Sequence, residues 1–279
     1  MTDASDWTGR VGSTWATEWR RTDRSFGALA DRLNTVIREL APESGTALDI
    51  GCGAGATSLA LATARPGLAV TGVDLSPPLL AAARDRAAGL ANLTFVEGDV
   101  QSTAAKLAPI DLMVSRHGVM FFADPVAGFA TLHAAAAPGA PLVFTCFRAP
   151  GLNRWATDIA AAAIGASPAP RDNAPGPFAF ADEARVARIL ADAGWSEARA
   201  EPADFVFCAG AGDDPVADAV GFFSRIGPAA PLLRELPPSS REAALDRIAR
   251  LCAAHLRGGI VEFPAAAWLW TARARGASA

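Results

Sequence analysis

The residues of this sequence best suited to chemistry are two aspartates with three evenly spaced glycines between them. An apolar run ends in Asp49, glycines follow at Gly51, Gly53 and Gly55, and Asp74 closes the next apolar run. Glycine lets a backbone turn sharply and lets a ligand lie against it, and the helix start beyond the loop offers unpaired N–H groups to an anionic group. An acid about 20 residues further on, at the tip of the second strand, suits a ribose diol. The spacing therefore predicts a nucleoside cofactor that lies across a β–loop–α–β unit.

The identity of the nucleoside depends on how the glycines are counted. A dinucleotide fingerprint, G-x-G-x-x-G/A, fits loosely as Gly51, Gly53 and Ala56. Three features argue against NAD. The glycine recurs a third time, an acid lies two residues before the first glycine, and a third strand-like run, residues 93–97, leads into a Gly-Asp-Val tripeptide at 98–100.

This set of motifs resembles the class I S-adenosylmethionine (SAM)-dependent methyltransferases. In that family the first motif is acid-x-G-x-G-x-G, the second ends in an acid, and the third carries an Asp beside the adenine. SAM has no pyrophosphate, and its cationic amino acid part favours nearby acids. The resemblance implies SAM as the cofactor and S-adenosylhomocysteine as its product. The structural alternative is a glycine-rich turn that binds no ligand.

The resemblance also implies which residues contact the cofactor: Asp49, Gly51, Gly53, Gly55, Asp74, Leu75, Asp99, Val100 and Ser115. Asp49 is expected to orient the loop and the amino end of SAM. Asp74 accepts from both ribose hydroxyls and Asp99 from the exocyclic amine of the adenine. Leu75 and Val100 pack on the two faces of the adenine.

His117 is the candidate catalytic base. It is one of three histidines, and it alone lies on the predicted loop after the fourth strand, which in the methyltransferases faces both cofactor and substrate. Histidine titrates near neutral pH, which suits proton removal from an acceptor. The alternatives are a histidine that only hydrogen-bonds the loop or one that contacts the SAM carboxylate.

The run around His117 resembles a bacterial subgroup of small-molecule methyltransferases, near the quinone and natural-product C- and O-methylating enzymes. That subgroup carries N-terminal tryptophans and an Asn-x-Trp after the fifth strand. The predicted substrate contacts are Trp15, Trp19, Arg116, Phe121, Asn153, Trp155 and Phe222. The spacing of Trp15 and Trp19 predicts that they share one helix face. Arg116 pairs either with a substrate acid or with a nearby Asp such as Asp124.

The composition limits the partners of the chain. Its 279 residues carry a formal net charge of −4 and no basic run, which argues against nucleic acid. The four cysteines are scattered with no metal-ligand spacing, so no metal is predicted and a reducing compartment is expected. We see no signal peptide and no stretch near the roughly 20 apolar residues of a membrane span. We expect a cytoplasmic protein that acts on a small-molecule methyl acceptor, with its oligomeric state, a homodimer included, left open.

Alternation of apolar runs predicts the fold. Strands are expected near 46–50, 68–73, 93–97, 110–115 and 141–147, and helices near 56–65, 77–88, 125–137 and 182–193. Such β–α alternation predicts a parallel sheet with helices on both faces. The resemblance adds two late strands, near 203–208 and 260–272, as an antiparallel finish. The predicted class is α/β, a Rossmann-like, seven-stranded, mostly parallel sheet with an antiparallel final strand.

The predicted domain organisation has an N-terminal helical cap, 1–45, and a SAM-binding methyltransferase domain, 46–279. Insertions at 149–181 and 213–258 are expected to cover the substrate pocket as helical lids. The predicted reaction is in-line transfer of a methyl group to an O, C or N atom of a small, largely apolar or aromatic molecule. Two alternatives are kept, a SAM-binding regulatory module without turnover and an NAD-dependent reductase.

Overall fold

One mixed β-sheet of eight strands organises the part of the chain that the computed structural model describes, residues 4–166 and 175–275. In chain order the strands are β1 (Ser44–Ile50), β2 (Gly67–Asp74), β3 (Leu93–Glu97), β4 (Leu112–Arg116), β5 (Pro141–Phe147), β6 (Trp195–Gly210), β7 (Leu256–Arg257) and β8 (Ile260–Ala274). Their order across the sheet is β3-β2-β1-β4-β5-β8-β6, and the short β7 pairs with β8. Strands β1 to β5 are mutually parallel, and β8 is antiparallel to both of its long neighbours. The predicted α/β class and the antiparallel final strand are confirmed.

Helices flank this sheet and form the N-terminal segment. In chain order they are α1 (Ala4–Thr8), α2 (Arg10–Thr17), α3 (Trp19–Ser25), α4 (Gly27–Leu40), α5 (Ala56–Ala64), α6 (Pro77–Arg86), α7 (Val100–Leu107), α8 (Pro125–Ala135), α9 (Arg154–Ile164), α10 (Glu183–Asp192), α11 (Pro215–Phe223), α12 (Ala229–Glu235) and α13 (Pro238–Ala254). Among the described residues, none of these helices has the length and apolar character needed to cross a membrane.

Local sequence signals account for several of these boundaries. Ser76 caps α6 by accepting from the N–H of Leu79, and Pro77 occupies the first turn, where a proline costs no hydrogen bond. Asp124 caps α8 in the same way. Strand β5 is buried along its whole length, which explains its unbroken apolar sequence.

The structure corrects the sequence-based boundaries in three places. Helix α7 was not predicted, and β6 is much longer than the expected 203–208. Trp15 and Trp19 do not share a helix face, because the helix breaks at Glu18, between α2 and α3. The Pro-rich part of the 149–181 segment falls partly outside the described residues, and α9 occupies much of the rest.

The N-terminal helices and the helices of the two insertions, 149–181 and 213–258, pack around the sheet in two groups. Helix α2 lies against the start of α6, where Gly12 has no room for a side chain beside Ser76. Helices α9 and α13 pack together, and the Arg247 guanidinium donates to the carbonyls of Ala162 and Ala163. The expectation that the two insertions cover a substrate pocket stays a prediction.

Candidate functional site

The glycine loop lies at the carboxyl end of β1, where the sheet order reverses between β2 and β4. All three of its glycines have positive φ angles. A Cβ on Gly51 would lie 3.0 Å from Cα of Gly118, and one on Gly55 would lie 2.8 Å from the ring of Phe95. A Cβ on Gly53 would meet nothing within 4 Å. The loop is therefore tightly packed against the protein at Gly51 and Gly55 and open at Gly53, where a ligand can approach the backbone.

Asp74 holds this loop at the end of β2. Its Oδ2 accepts from the N–H of Gly53 at 2.8 Å, and its Oδ1 accepts from the N–H of Ser76 at 2.9 Å. Burial raises the pKa of this carboxyl group. A carboxylate has about four acceptor positions, so both oxygens keep capacity for a ribose diol. The predicted ribose contact itself stays a prediction.

Asp49 is a buried carboxyl group with one oxygen unpartnered. Its Oδ2 accepts from Oγ of Ser58 at 2.5 Å, whereas its Oδ1 has no hydrogen-bond partner among the described residues. Desolvation raises its pKa to about 7, against the weaker opposing effects of Ser58 and Arg116. An unsatisfied buried carboxylate oxygen is unfavourable by itself, so the site is chemically suited to a cationic donor such as the ammonium group of SAM.

The third predicted acid, Asp99, has a structural role at the start of α7. Asp99 is exposed and caps α7 by accepting from the N–H of Gln101 at 2.8 Å. Val100 is buried at the first position of that helix, and Leu75 is partly buried beyond β2. Their predicted contacts with the adenine stay predictions.

Ser115 connects the ends of β1 and β4. Its buried hydroxyl donates to the carbonyl of Ile50 at 2.7 Å and accepts from the N–H of Gly118 at 3.1 Å. Its hydrogen is therefore already donated within the protein. The structure gives Ser115 the role of holding the two loops together, and a direct contact with the cofactor stays a prediction.

His117 begins the loop after β4 with a positive φ of 64°, which is uncommon for a residue with a side chain. Its side chain is buried, and Nδ1 lies 2.7 Å from Oγ1 of Thr145. Its Nε2 has no hydrogen-bond partner among the described residues. Burial, helped by the charge of Arg116, lowers the pKa of the imidazole to about 3. His117 is thus a neutral imidazole with one free nitrogen.

Aromatic side chains surround this imidazole. Phe147 and Phe26 meet it edge to face, with centroid separations of 4.2 and 5.2 Å. Trp155 lies 5.2 Å from Phe147 and stacks on Phe207 at 4.5 Å. Trp155 is thus connected to His117 through Phe147, and its predicted contact with a substrate stays a prediction. The other aromatic rings that continue this cluster are Phe178, Phe205, Phe222 and Phe223.

Asn153 was predicted to bind substrate, and the structure assigns it another role. It is fully buried, and its Nδ2 donates to three backbone carbonyls, among them that of Ala266. Its Oδ1 accepts from Nε1 of Trp155 and from the N–H of Ala266. Because every polar atom of the amide is in use, Asn153 fixes Trp155 and the chain beside β8 instead of contacting a substrate.

Arg116 forms a structural ion pair, but its partner is not the expected Asp124. Its Nη2 lies 2.8 Å from Oδ1 of Asp23 in α3. The other oxygen of Asp23 lies 2.8 Å from Nη2 of Arg86, whose Nη1 donates to the carbonyl of Ala54 in the glycine loop. Sequence reasoning missed Asp23 and Arg86, since neither belongs to a motif. Together they connect the N-terminal helices to the glycine loop.

The N-terminal tryptophans lie in two places. Trp19 is covered by the guanidinium of Arg86, 4.0 Å from its ring centroid. Trp15 lies 5.8 Å from Trp7, which in turn meets Phe121 edge to face at 5.1 Å. Trp7 therefore joins the N-terminal helices to the loop after β4, and it was not among the predicted contacts. The predicted substrate contacts of Trp15, Trp19 and Phe121 stay predictions.

Residues 47–139 match the family model of the methyltransferase domain. That segment, one third of the chain, is similar to methyltransferase domains. The matched segment includes the glycine loop, both strand-tip acids and the loop that carries His117. The alternative of an NAD-dependent reductase is therefore dropped.

Known proteins resemble this chain in sequence and in fold. The demethylmenaquinone methyltransferase of Thermus thermophilus is 34% identical over 129 residues, which are 45% of this chain and 58% of that protein. The chain thus matches little more than half the length of this relative.

Two solved structures show the fold. The YcgJ protein from Bacillus subtilis superposes with a TM-score of 0.56 at 14% identity, covering 87% of this chain and 97% of that one. Phosphoethanolamine N-methyltransferase 2 of Haemonchus contortus, solved with SAM, gives a TM-score of 0.54 at 15% identity, covering 99% and 60%.

Proposed function

We propose that this protein is a methyltransferase that moves the methyl group of SAM to a small, largely apolar or aromatic molecule. One observation carries the proposal. The unpartnered Nε2 of His117 lies among aromatic side chains just after β4, the strand beside β1, in which Asp49 is the last residue but one. Nε2 is enclosed by these side chains, so the proposal requires them to move apart when an acceptor binds.

The cofactor would be held by residues of the three strand ends. Asp49 offers its unpartnered Oδ1 to the ammonium group, the open face above Gly53 receives the backbone of the ligand, and Asp74 accepts from the ribose hydroxyls. Bound SAM supplies a methyl group on a sulfonium, which is already a good leaving group. The protein therefore has to orient the acceptor in line and exclude water.

His117 is the group that would accept a proton from the acceptor. Burial lowers the pKa of this imidazole to about 3, which keeps it neutral at physiological pH but makes it a weak base, so the base role requires that binding of cofactor and acceptor raise this pKa. A neutral imidazole also adds no second positive charge to a site built for a sulfonium. Around it, Phe26 and Phe147 are buried apolar rings, and an aromatic acceptor would pack against them once the site opens.

The relative named above fits such an acceptor, because its name describes a methyltransferase acting on demethylmenaquinone. The acidic net charge and the lack of a basic run are consistent with a small molecule rather than a nucleic acid. The atom that receives the methyl group, whether O, C or N, is left to experiment.

Binding and turnover, measured side by side, test the proposal. SAM binding is measured by calorimetry, and S-adenosylhomocysteine is then quantified by mass spectrometry after incubation with panels of phenols, thiols and amines. We expect binding and product formation that depends on one acceptor class. SAM binding with no product above the buffer control in any panel would favour the regulatory module. The Asp49→Asn variant serves as the control with weakened cofactor binding.

A further inference from the structure

Arg116 uses only part of its hydrogen-bonding capacity. A guanidinium has several N–H donors arranged in a planar fork. Among the described residues, Arg116 has one hydrogen-bond partner, Asp23, whose Oδ1 accepts from Nη2. The Nε and Nη1 of Arg116 have no partner there, and unlike Nε2 of His117 they are not among the fully enclosed atoms. With 16% of its side chain exposed, Arg116 has free donors that a ligand can reach.

These donors lie at the strand ends that surround the glycine loop. Arg116 is the last residue of β4, which pairs in parallel with β1 next to Asp49. Its partner Asp23 also pairs with Arg86, whose Nη1 donates to the carbonyl of Ala54 within the loop. The positive charge of Arg116 lowers the pKa of Asp49, against the larger effect of burial. The ion pairs and the strand pairing therefore place the guanidinium beside the predicted position of the cofactor.

The charges of this group of side chains do not balance. Two arginines, Arg86 and Arg116, share the single carboxylate of Asp23, which leaves one positive charge in excess. Arg86 is occupied further by the carbonyl of Ala54 and by the ring of Trp19. Arg116 is thus the member of the group that can bind an additional anion. Because the group is mostly buried, solvent screens such a contact less than it would on an open surface.

The amino acid part of SAM carries an anion that fits this position. Its ammonium and carboxylate groups are attached to the same carbon atom, so a site that binds one must place the other close by. The buried carboxyl group of Asp49 is suited to the ammonium group, and it would repel a carboxylate. A cation beside Asp49 is therefore needed, and a guanidinium can donate two parallel hydrogen bonds to a carboxylate.

We propose that Arg116, held by its ion pair with Asp23, binds the carboxylate of SAM through its free N–H groups. The inference rests on the cofactor of the proposed function and on no property of the methyl acceptor. It makes Arg116 a determinant of cofactor specificity. A sulfonium nucleoside without the carboxylate would lose this contact, and its positive charges would lie beside an unbalanced guanidinium.

A matched pair of ligands tests the inference on the wild-type protein. SAM and decarboxylated SAM both carry the sulfonium and the ammonium group, and they differ only in the carboxylate. We expect calorimetry to show that SAM binds about 10- to 100-fold more tightly, the effect of hydrogen bonds to a charged group. Equal affinities for the two ligands would overturn the inference, and this result does not depend on the folding of any variant.

Substitution of Arg116 shows whether this residue is the source of the preference. Arg116→Gln should weaken SAM binding by about 10- to 100-fold. The affinity for decarboxylated SAM should stay the same or rise, because a positive charge beside a cationic ligand is removed. Arg116→Lys keeps the charge without the planar fork and should keep part of the preference. Arg188→Gln, at an exposed position on α10, is the matched control and should change neither affinity.

The other outcomes separate this role from its alternatives. A preference for SAM that persists in Arg116→Gln would assign the carboxylate to another group, and an equal loss for both ligands would indicate a structural role. Either result overturns the inference. Absence of SAM binding to the wild type would overturn the proposed function together with it. SAM binding with the expected preference but without turnover would contradict only the enzymatic part of the proposed function.

Discussion

Asp23 and Arg86 form a 2.8 Å ion pair that connects helix α3 to the glycine loop. Arg86 reaches the glycine loop through its Nη1, which donates to the carbonyl of Ala54. The same Asp23 also pairs with Arg116 at the end of β4. All three side chains are mostly buried, so solvent screens these pairs less than pairs on an open surface. The carboxylate of Asp23 thus links the N-terminal helices both to the glycine loop and to the end of β4.

The first prediction concerns that carboxylate. Asp23→Asn removes the charge shared by two arginines, so the N-terminal helices should separate more readily from the glycine loop. We expect the dissociation constant for SAM to rise about fivefold, at the low end of coupling free energies. Hydrogen exchange over residues 4–25 should become faster. Asp31→Asn, on the exposed face of α4, should change neither quantity. Unchanged SAM affinity in Asp23→Asn would show that the cap is not coupled to the cofactor site.

The second prediction concerns Asp74. Asp74→Ala should weaken SAM binding by about 1.5–3 kcal/mol, the range for hydrogen bonds to charged groups. The loss has two sources, the missing ribose acceptor and the release of the Gly53 N–H that Asp74 now holds. Calorimetry measures the affinity, and circular dichroism checks the fold. Asp85→Ala, an exposed position on α6, is the control. An unaltered affinity in a folded Asp74→Ala protein would rule out the ribose assignment.

The third prediction links cofactor binding to pH through Asp49. With a pKa near 7, the free protein holds this carboxyl partly or wholly protonated below pH 7. An ammonium group beside its free oxygen would favour the ionised form and lower that pKa. SAM binding should therefore release a proton below about pH 7, and affinity should rise with pH from 5 to 7 before levelling off.

Calorimetry in buffers of different ionisation enthalpy measures this proton release. In Asp49→Asn the release and the pH dependence of affinity should both disappear, while binding itself becomes weaker. Equal heats in all buffers for the wild type at pH 6 would contradict the assignment of Asp49 to the amino end of SAM.

The sequence predicts the parts of this site that depend on local patterns. Strands β1 to β5 are apolar runs bounded by turns, so their positions and the acids at their tips follow from residue types alone. Helix α7 escaped prediction because it is short and directly follows a motif that was assigned to the adenine. Asn153 was predicted to contact the substrate only because of the family resemblance. Its hydrogen bonds to Ala266 depend on the position of β8, which the local sequence does not indicate.

Long-range ion pairs account for what the sequence could not show. Asp23 and Arg86 are 63 positions apart, and such pairs have no periodicity that would mark them. The buried residue Glu18, where the helix breaks, also takes part in a long-range ion pair. Its buried carboxylate pairs with Arg225, 207 positions away, in the late insertion. These ion pairs join the N-terminal helices to distant parts of the chain, and the helical spacing of Trp15 and Trp19 gave no sign of them.

The last prediction concerns His117 itself. With a hydroxyl acceptor, His117→Ala should lower kcat by roughly 10²- to 10⁴-fold, the range for loss of a general base, while SAM affinity hardly changes. His255→Ala, whose ring stacks on Phe263, is the control.

The structure changes the expected pH profile of this reaction. A histidine with an ordinary pKa would become protonated below neutral pH, and activity that needs the neutral form would fall there. With a pKa near 3, His117 stays neutral down to well below pH 5. Wild-type kcat should therefore show no His117-dependent limb between pH 5 and 8, and a limb due to this group should appear only as pH falls toward 3. A neutral limb that is lost in His117→Ala would mean that the site opens to water during turnover and that the imidazole regains an ordinary pKa. A fall in SAM affinity with kcat spared at saturation would instead identify His117 as a cofactor contact and exclude the base role.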